Sequence, residues 1–203
     1  MYNSNSPSPQ SNIMLLLFWI LTTGIAGAFI AYMAAPTDFF WELIASGFVV
    51  GIAQWVVLRR YINYIKNAFW WIPLSGFGWI LGIFLMIFTR EFLNPVVEFL
   101  SSTGMFWGVF WLNFVRQPIN FAVLGFAQWL VLRRYFRYAG WWIIASALSG
   151  IVRGAVGAYL CAVTCKIGHG SISNGVGWGA SAAITGSLLL LLVNNHRKNL
   201  PSG

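Results

Sequence analysis

Apolar residues form long runs along the chain, and short polar segments separate them. Because about 20 apolar residues cross the hydrocarbon core of a bilayer as a helix, the runs predict about six transmembrane spans. These are 13–35, 40–58, 69–88, a fourth that ends at 132, 141–163 and 175–193. We therefore expect an all-α, polytopic transmembrane helix bundle over 13–193, with a disordered N-terminal tail over 1–12 and a C-terminal tail over 194–203.

The fourth span is interrupted by polar residues. Its apolar stretch begins near Gly104, but Arg116, Gln117 and Pro118 follow before the main run. Proline inside a helix removes a backbone hydrogen bond and bends or breaks the helix. The sequence thus predicts either one long helix kinked at Pro118 or a short interfacial helix followed by a span. The preceding segment, 91–103, has the pattern of an amphipathic helix on the membrane surface.

An eleven-residue stretch occurs twice in the chain. It reads G-I-A-Q-W-V-V-L-R-R-Y at 51–61 and returns 74 residues later as G-F-A-Q-W-L-V-L-R-R-Y, with nine of eleven positions identical. A tryptophan pair follows each copy and opens the next apolar run. The pattern predicts two parallel-oriented two-helix repeats, at about 40–88 and about 113–163. A pseudo-two-fold axis along the membrane normal would relate them, as in transporters with parallel repeats.

Composition supports a membrane location. The chain is 59% hydrophobic and only 8% charged, whereas roughly a quarter of the residues of a soluble domain are charged. The formal charge of +8 comes from basic residues at the ends of apolar runs, which is typical of topology signals rather than of nucleic-acid binding. We therefore expect the lipid bilayer as a partner and no nucleic acid.

Charge also predicts the orientation. With six alternating spans, one side of the membrane receives eight basic residues and no acid, and the other side receives all four acids. The positive-inside rule then places both termini in the cytoplasm. The eight basic residues are Arg59, Arg60, Lys66, Arg133, Arg134, Arg137, Arg197 and Lys198.

Tryptophans cluster near the predicted arginine side. Trp55 and Trp129 each lie four residues before an arginine, a spacing that suits a cation–π contact on a helix. Tryptophan is enriched at membrane interfaces, so we expect an aromatic belt at this level, with the large aromatics facing lipid or a partner. The belt would contain these two residues with Trp70, Trp71, Trp141 and Trp142.

Gln54 and Gln128 are the polar residues of the repeat, five positions before its arginine pair. A carboxamide inside a membrane requires a partner. The two glutamines could face each other across the pseudo-two-fold axis, or bind a pigment metal or a lipid headgroup. Alternatively, each could bond a backbone carbonyl or a serine of a neighbouring helix.

Arg153 is a charge inside a predicted span. Twelve positions from Trp141 place it about 18 Å along the helix, where an unpaired charge costs at least ~2.5 kcal/mol. The 74-residue offset also aligns Glu42 with Arg116. We hypothesise an ion pair of Glu42 with Arg116 or with Arg153, serving either function or packing.

The two cysteines fall in the stretch C-A-V-T-C-K-I-G-H at 161–169. Four-residue spacing would place Cys161, Cys165 and His169 on one helix face, as in a metal site. The glycines on both sides of His169 favour a helix end before it, so we expect no metal centre. A disulfide on an oxidising outer side and two buried thiols both remain open.

Motifs of nucleophilic, metal-dependent or phosphate-binding enzymes are absent from the sequence, so we expect no enzymatic activity.

The repeated G-x-A-Q-W-x-V-L-R-R-Y with the following W-W-I and small-residue helix resembles a group of largely uncharacterised small membrane proteins of cyanobacteria and other bacteria. That resemblance implies a bacterial inner membrane, or a thylakoid or plasma membrane in a cyanobacterium.

The leading functional hypothesis is a non-enzymatic accessory subunit of a larger membrane complex, or a binder of lipid, pigment or another apolar ligand. The aromatic load without a catalytic constellation favours it. The alternative is a small transporter or channel, which the parallel repeats and the intramembrane charges favour.

Overall fold

The computed structural model describes residues 9–34, 39–62, 65, 67–167 and 169–198, with the backbone alone at 9, 34, 39–43 and 167. The described residues form seven α-helices and no strand, in accordance with the predicted all-α class. The helices are α1 (Pro9–Ala34), α2 (Phe39–Tyr61), α3 (Trp71–Phe88), α4 (Arg90–Ser102), α5 (Gly108–Leu132), α6 (Trp141–Thr164) and α7 (Gly170–Lys198).

Four of these helices, α1, α3, α6 and α7, are long and apolar enough to cross a membrane. The chain is therefore an integral membrane protein by length and composition. α2 and α5 are also long, at 23 and 25 residues. The described side chains of α2, 44–61, are less apolar because they include Gln54 and an arginine pair, and α5 contains Asn113, Arg116 and Gln117 among other polar residues.

Six helices form a closed ring in which each contacts its neighbours in the order α1, α2, α3, α5, α6, α7 and back to α1. Consecutive helices of the ring run in opposite directions: residues 12, 19 and 27 of α1 contact residues 194, 185 and 178 of α7, for example, and Ser75 and Gly82 of α3 contact Gln128 and Asn120 of α5. The C-terminal ends of α2 and α5, with their arginine pairs, lie at the same end of the ring as the start of α1 and the end of α7. We call this the arginine end. α4 lies outside the ring against α5.

Small residues allow these helices to approach closely, as is common in membrane bundles. A Cβ atom added to Gly24 of α1 would lie 3.1 Å from the carbonyl oxygen of Gly175 of α7. One added to Gly51 of α2 would lie 2.8 Å from the Cβ of Ser75 of α3, and Gly125 of α5 meets Ser146 of α6 in the same way.

Several boundaries differ from the predicted ones. α1 begins at Pro9 rather than at residue 13, and α7 extends from Gly170 to Lys198, beyond the predicted 175–193. Residues 1–8 and 199–203, the remainder of the predicted tails, lie outside the described residues. α5 is one continuous helix with Pro118 inside it, so the single-helix alternative is correct and the split one is wrong.

Candidate functional site

Three tryptophans meet in the centre of the ring, toward the arginine end. Trp19 of α1, Trp71 of α3 and Trp142 of α6 are completely buried, each at 0% exposure. Their ring centroids are 5.6, 6.1 and 6.2 Å apart, and each pair has an edge-to-face arrangement, which aromatic quadrupoles favour. We call these three side chains the tryptophan triad.

Each indole of the tryptophan triad donates a hydrogen bond to the neighbouring helix of the ring. Trp71 Nε1 donates to Gln54 Oε1 over 3.1 Å, and Trp142 Nε1 donates to Gln128 Oε1 over 3.0 Å. Trp19 Nε1 donates to Thr185 Oγ1 over 3.1 Å. A buried indole N–H without an acceptor would be costly in a membrane. These bonds therefore explain why each acceptor helix has a polar residue at this level, Gln54 on α2, Gln128 on α5 and Thr185 on α7.

The two glutamines of the repeat contact each other. Gln128 Nε2 donates to Gln54 Oε1 over 3.3 Å and to Ser75 Oγ over 2.9 Å. Two of the sequence alternatives, glutamines facing each other and a serine partner, thus occur together. Both carboxamides are buried in the core around the tryptophan triad, where they bond to protein groups.

The predicted aromatic belt is correct only for its outer members. Trp70 and Trp141 are 57% and 60% exposed, whereas their sequence neighbours Trp71 and Trp142 are buried in the triad. The prediction that the large aromatics face lipid was wrong here because adjacent residues of a helix point about 100° apart, so one member of each pair faces inward. The predicted cation–π pairs are present. The guanidinium carbon of Arg59 is 5.4 Å from the ring centroid of Trp55, and that of Arg133 is 4.9 Å from the ring centroid of Trp129.

A second aromatic layer crosses the ring beyond the triad, farther from the arginine end. Trp79 of α3, Phe121 of α5 and Trp178 of α7 are buried, with centroids 5.2, 5.3 and 5.9 Å apart. We call these rings the lower aromatic layer. Each packs on a glycine of a neighbouring helix, Gly47 of α2, Gly150 of α6 and Gly27 of α1 respectively, where a Cβ atom would overlap the aromatic side chain.

Arg153 of α6 lies against the lower aromatic layer. Its guanidinium carbon is 4.7 Å from the centroid of Trp178, 5.6 Å from Trp79 and 5.9 Å from Phe121. These distances are typical of cation–π contacts. Its Nη2 donates to Asn174 Oδ1 over 3.1 Å, and Asn174 Nδ2 donates to the carbonyl oxygen of Gly27 over 3.0 Å. The aromatic rings and the amide together hold the guanidinium in place.

A cavity of about 910 Å³ opens beyond Arg153, on the side away from the arginine end. All six helices of the ring contribute to its wall. The lining is largely apolar or small, with polar side chains at few positions, as is common for sites that bind small molecules. The polar or charged lining residues are Tyr32, Ser46, Asn113, Gln117, Arg153, Ser171, Ser173 and Asn174.

Cys161 and Cys165 form a disulfide that lies in the wall of this cavity. The disulfide alternative of the sequence is therefore the one that the structure adopts. Cys165 Sγ is also 3.8 Å from Ser173 Oγ of α7. Among the residues that the structure describes, no group of three His, Cys, Asp or Glu side chains is arranged to hold a metal ion.

Arg116 is the other charged candidate whose side chain the structure describes. Arg116 of α5 donates from Nη2 to Asn94 Oδ1 of α4, which ties the peripheral helix to the ring. The side chain of Glu42 lies outside the described residues, so its ion pair with Arg116 or Arg153 stays a prediction. Of the five predicted site residues, the structure places Arg153 in the cavity wall and joins Gln54 to Gln128 in the core.

Sequence reasoning missed the partners that the termini supply. Trp19 and Thr185 complete the tryptophan triad and its hydrogen bonds, while Trp178 and Asn174 hold Arg153. One sequence signal could have identified Trp19 as the third member of the triad. Trp19 is followed four residues later by a hydroxyl residue, Thr23, just as Trp71 is followed by Ser75.

Comparison with family models, with curated proteins and with solved structures found no match to the chain.

Proposed function

We propose that this protein is a non-enzymatic membrane protein that binds an amphipathic, lipid-like ligand. The observation that carries the proposal is the cavity of about 910 Å³ at the end of the ring axis. Its volume is at the upper part of the usual range for small-molecule sites, roughly 300 to 1,000 Å³. Its wall combines apolar surface with one guanidinium and a few amides, which suits a molecule with an apolar body and a polar end.

Transport along the ring axis is the alternative that the structure disfavours. The tryptophan triad and the lower aromatic layer cross the axis one after the other, and all six rings are at most 5% exposed. An ion or a polar solute would have to pass two sets of touching aromatic rings. A site open from one end and closed by packed rings at the other favours binding over conduction.

Six membrane spans and a repeated layout fit the same proposal. The ring consists of three antiparallel pairs, α2 with α3, α5 with α6 and α7 with α1, and in each pair one helix accepts the indole hydrogen bond of the other. We infer that all six helices cross the bilayer and that the two predicted repeats have a third counterpart divided between the termini. The pseudo-symmetry would then be three-fold rather than two-fold.

The location follows from this layout and from charge. We propose that the arginine end faces the cytoplasm of a bacterial cell, in accordance with the positive-inside rule. The disulfide at the cavity supports this orientation because disulfides persist on the oxidising side of the membrane. The cavity would then open to the periplasm, or to the lumen in a thylakoid, where a larger complex could also deliver its ligand.

The test of the binding proposal uses a cavity-filling variant. A Cβ atom added to Gly157, in the cavity wall, would meet its nearest neighbour, the carbonyl oxygen of Ser173, at an ordinary 3.9 Å. Gly157→Leu should therefore fold and occupy space that the ligand needs. The protein is reconstituted with phosphatidylglycerol and phosphatidylcholine, and lipids retained after detergent exchange are counted by native mass spectrometry.

We expect the wild-type protein to retain lipid and Gly157→Leu to retain about ten-fold less at limiting lipid, equivalent to a loss of about 1.4 kcal/mol in binding. The matched control is Gly140→Leu at the start of α6, where an added Cβ would have no neighbour within 4 Å. It should retain lipid as the wild type does. Equal retention by all three proteins, or none by the wild type, would refute the proposal.

A further inference from the structure

We infer that the disulfide of Cys161 and Cys165 is a thiol-exchange site in the cavity wall, and that its reduction by a small thiol weakens ligand binding. The effect on binding rests on the proposed function, whereas the exchange reaction does not. The juxtaposition behind the inference is a reducible bond between two sulfurs that line the cavity, beside a serine hydroxyl of α7.

The disulfide closes a very short loop. Cys161 lies in the last turn of α6, which ends at Thr164, and Cys165 follows four positions after Cys161. In the chain-entropy model a disulfide stabilises a fold by closing a loop of the unfolded chain, and the stabilisation grows with loop length. This bond joins no two helices of the ring. We therefore expect the ring to remain folded when the bond is reduced.

A thiol can reach the bond from the cavity. Both cysteines line the cavity wall, and Cys165 is exposed whereas Cys161 is half-buried. Thiol–disulfide exchange proceeds by attack of a thiolate on one sulfur, with the other sulfur as the leaving group. The difference in exposure assigns the attack to Cys165 Sγ and makes Cys161 the leaving group.

The reaction consumes two molecules of the thiol. The thiolate of the first forms a mixed disulfide with Cys165, and Cys161 leaves as a thiolate that takes up a proton. The second thiol attacks the reductant sulfur of the mixed disulfide and releases Cys165 as a thiol. The products are two cysteine thiols and the disulfide of the two reductant molecules, so two electrons and two protons pass to the protein.

Ser173 of α7 is positioned to accept a hydrogen bond from the reduced thiol. Its Oγ lies 3.8 Å from Cys165 Sγ and donates its own hydrogen to the carbonyl oxygen of Gly170 over 2.8 Å. The sulfurs of the disulfide carry no hydrogen, so they donate nothing to this hydroxyl in the oxidised protein. After reduction, the thiol of Cys165 can donate to Ser173 Oγ, which has two acceptor lone pairs. The hydroxyl therefore stabilises the reduced state.

Reduction changes the shape of the cavity wall. The Cα atoms of Cys161 and Cys165 are 4.8 Å apart, whereas residues four positions apart in a regular α-helix are about 6 Å apart. Cleavage of the bond lets this turn lengthen toward the regular spacing, and two separate thiols take up more room than a bonded pair. The cavity as it stands belongs to the oxidised protein, so the reduced wall fits the same ligand less well.

A redox titration tests the exchange site without any ligand. The full-length protein in detergent is equilibrated with mixtures of reduced and oxidised glutathione, and mass spectrometry counts the thiols that a maleimide traps. We expect reduced glutathione to open the disulfide and expose both cysteines to the maleimide, while thermal unfolding shows that the reduced protein is folded. A disulfide that opens only after the chain is unfolded overturns the inference.

Ser173→Ala tests the acceptor for the reduced thiol. It should shift the glutathione equilibrium about two- to five-fold toward the disulfide, as expected for the loss of one weak hydrogen bond in the reduced state. Ser187→Ala is the matched control, because Ser187 also lies on α7 and bonds to a backbone carbonyl but is not in the cavity wall. It should titrate as the wild type does. An unchanged equilibrium in Ser173→Ala contradicts the assigned role of Ser173.

Lipid retention then connects the exchange site to the cavity. Retention of phosphatidylglycerol is measured for the oxidised protein, the glutathione-reduced protein and a Cys161→Ser, Cys165→Ser double variant. We expect the reduced protein and the double variant to retain at least about five-fold less lipid than the oxidised protein at limiting lipid. Glutathione should not change retention by the double variant.

The possible outcomes separate the two proposals. Equal retention by the oxidised and reduced proteins overturns the effect of reduction on binding, while the binding function stands. No retention by any form overturns the binding function and with it the effect of reduction. The titration still decides the exchange reaction at Cys165, because it is read without lipid.

Discussion

Gln128 makes three side-chain hydrogen bonds in the core. It accepts the indole hydrogen bond of Trp142 and donates to both Gln54 and Ser75. Gln54 accepts from Trp71 as well as from Gln128. One shared bond thus joins two helix pairs at the centre of the ring, and the stability contributed by the two glutamines should be coupled.

A double-mutant cycle tests that coupling. Gln54→Leu and Gln128→Leu should each lower the free energy of unfolding by about 1 to 3 kcal/mol, because each leaves a buried indole N–H without its acceptor. The double variant should cost less than the sum, by about 0.6 kcal/mol for the shared bond. Unfolding by detergent titration provides the measurement, with the exposed Gln10→Leu as a control. Strictly additive effects would show that the shared bond contributes nothing.

At this scale the sequence predicted which polar residues matter and offered the glutamine–glutamine and glutamine–serine contacts as alternatives, but it did not predict the tryptophans that they bond. The repeat identified Gln54 and Gln128 because they stand at identical positions in apolar surroundings. It could not assign Trp71 and Trp142 to the core, because the interfacial preference of tryptophan depends on depth in the bilayer and not on helix face. Only the packing of α1 shows that these rings have a third partner in Trp19.

Pairs of helices are held together by one large aromatic residue facing one glycine. Trp178 of α7 packs on Gly27 of α1, and Phe121 of α5 packs on Gly150 of α6. In the remaining pair the positions are reversed, with Trp79 on α3 and Gly47 on α2. Apolar side chains gain little by leaving lipid for a helix interface, so helices in a membrane associate mainly through van der Waals contacts. The close contact between an aromatic residue and a glycine provides many such contacts.

Gly27→Ala tests the fit of α1 against α7. The added methyl group would overlap the ring of Trp178, so we expect a loss of about 1 to 3 kcal/mol from overpacking. Phenylalanine keeps the three atoms of Trp178 that the methyl group would meet, Cβ, Cγ and Cδ1, so a Gly27→Ala, Trp178→Phe double variant should recover little of that loss. Thermal unfolding in one detergent compares these variants with Gly140→Ala, which has open space around it. A Gly27→Ala protein as stable as the wild type would disprove the tight contact.

The number of long helices was predictable from the apolar runs. The bounds of the helices were not, and neither was the lower apolarity of α2 and α5. α2 and α5 carry polar residues because those side chains face the core of the ring, such as Gln54, Asn120 and Gln128. Average hydropathy cannot distinguish a polar residue directed inward from one exposed to lipid. α5 also remains helical through Pro118, which neighbouring helices of a membrane bundle commonly permit.

The whole molecule is a ring of three helix pairs with its axis closed on one side and open on the other. The sequence predicted two of the pairs from their near-identical stretches. The third was not predictable in this way because α7 and α1 lie at opposite ends of the chain and share little sequence with the other two pairs. The cavity likewise depends on all six helices of the ring at once, so no local sequence pattern predicts it.

The most direct test of the binding function is a crystal structure of the full chain grown from a lipidic mesophase that contains phosphatidylglycerol. We expect elongated density in the cavity, with the tryptophan triad and the lower aromatic layer closed beneath it. A cavity that contains only water, joined to the arginine end by an open path between the aromatic rings, would contradict the binding function and favour a channel.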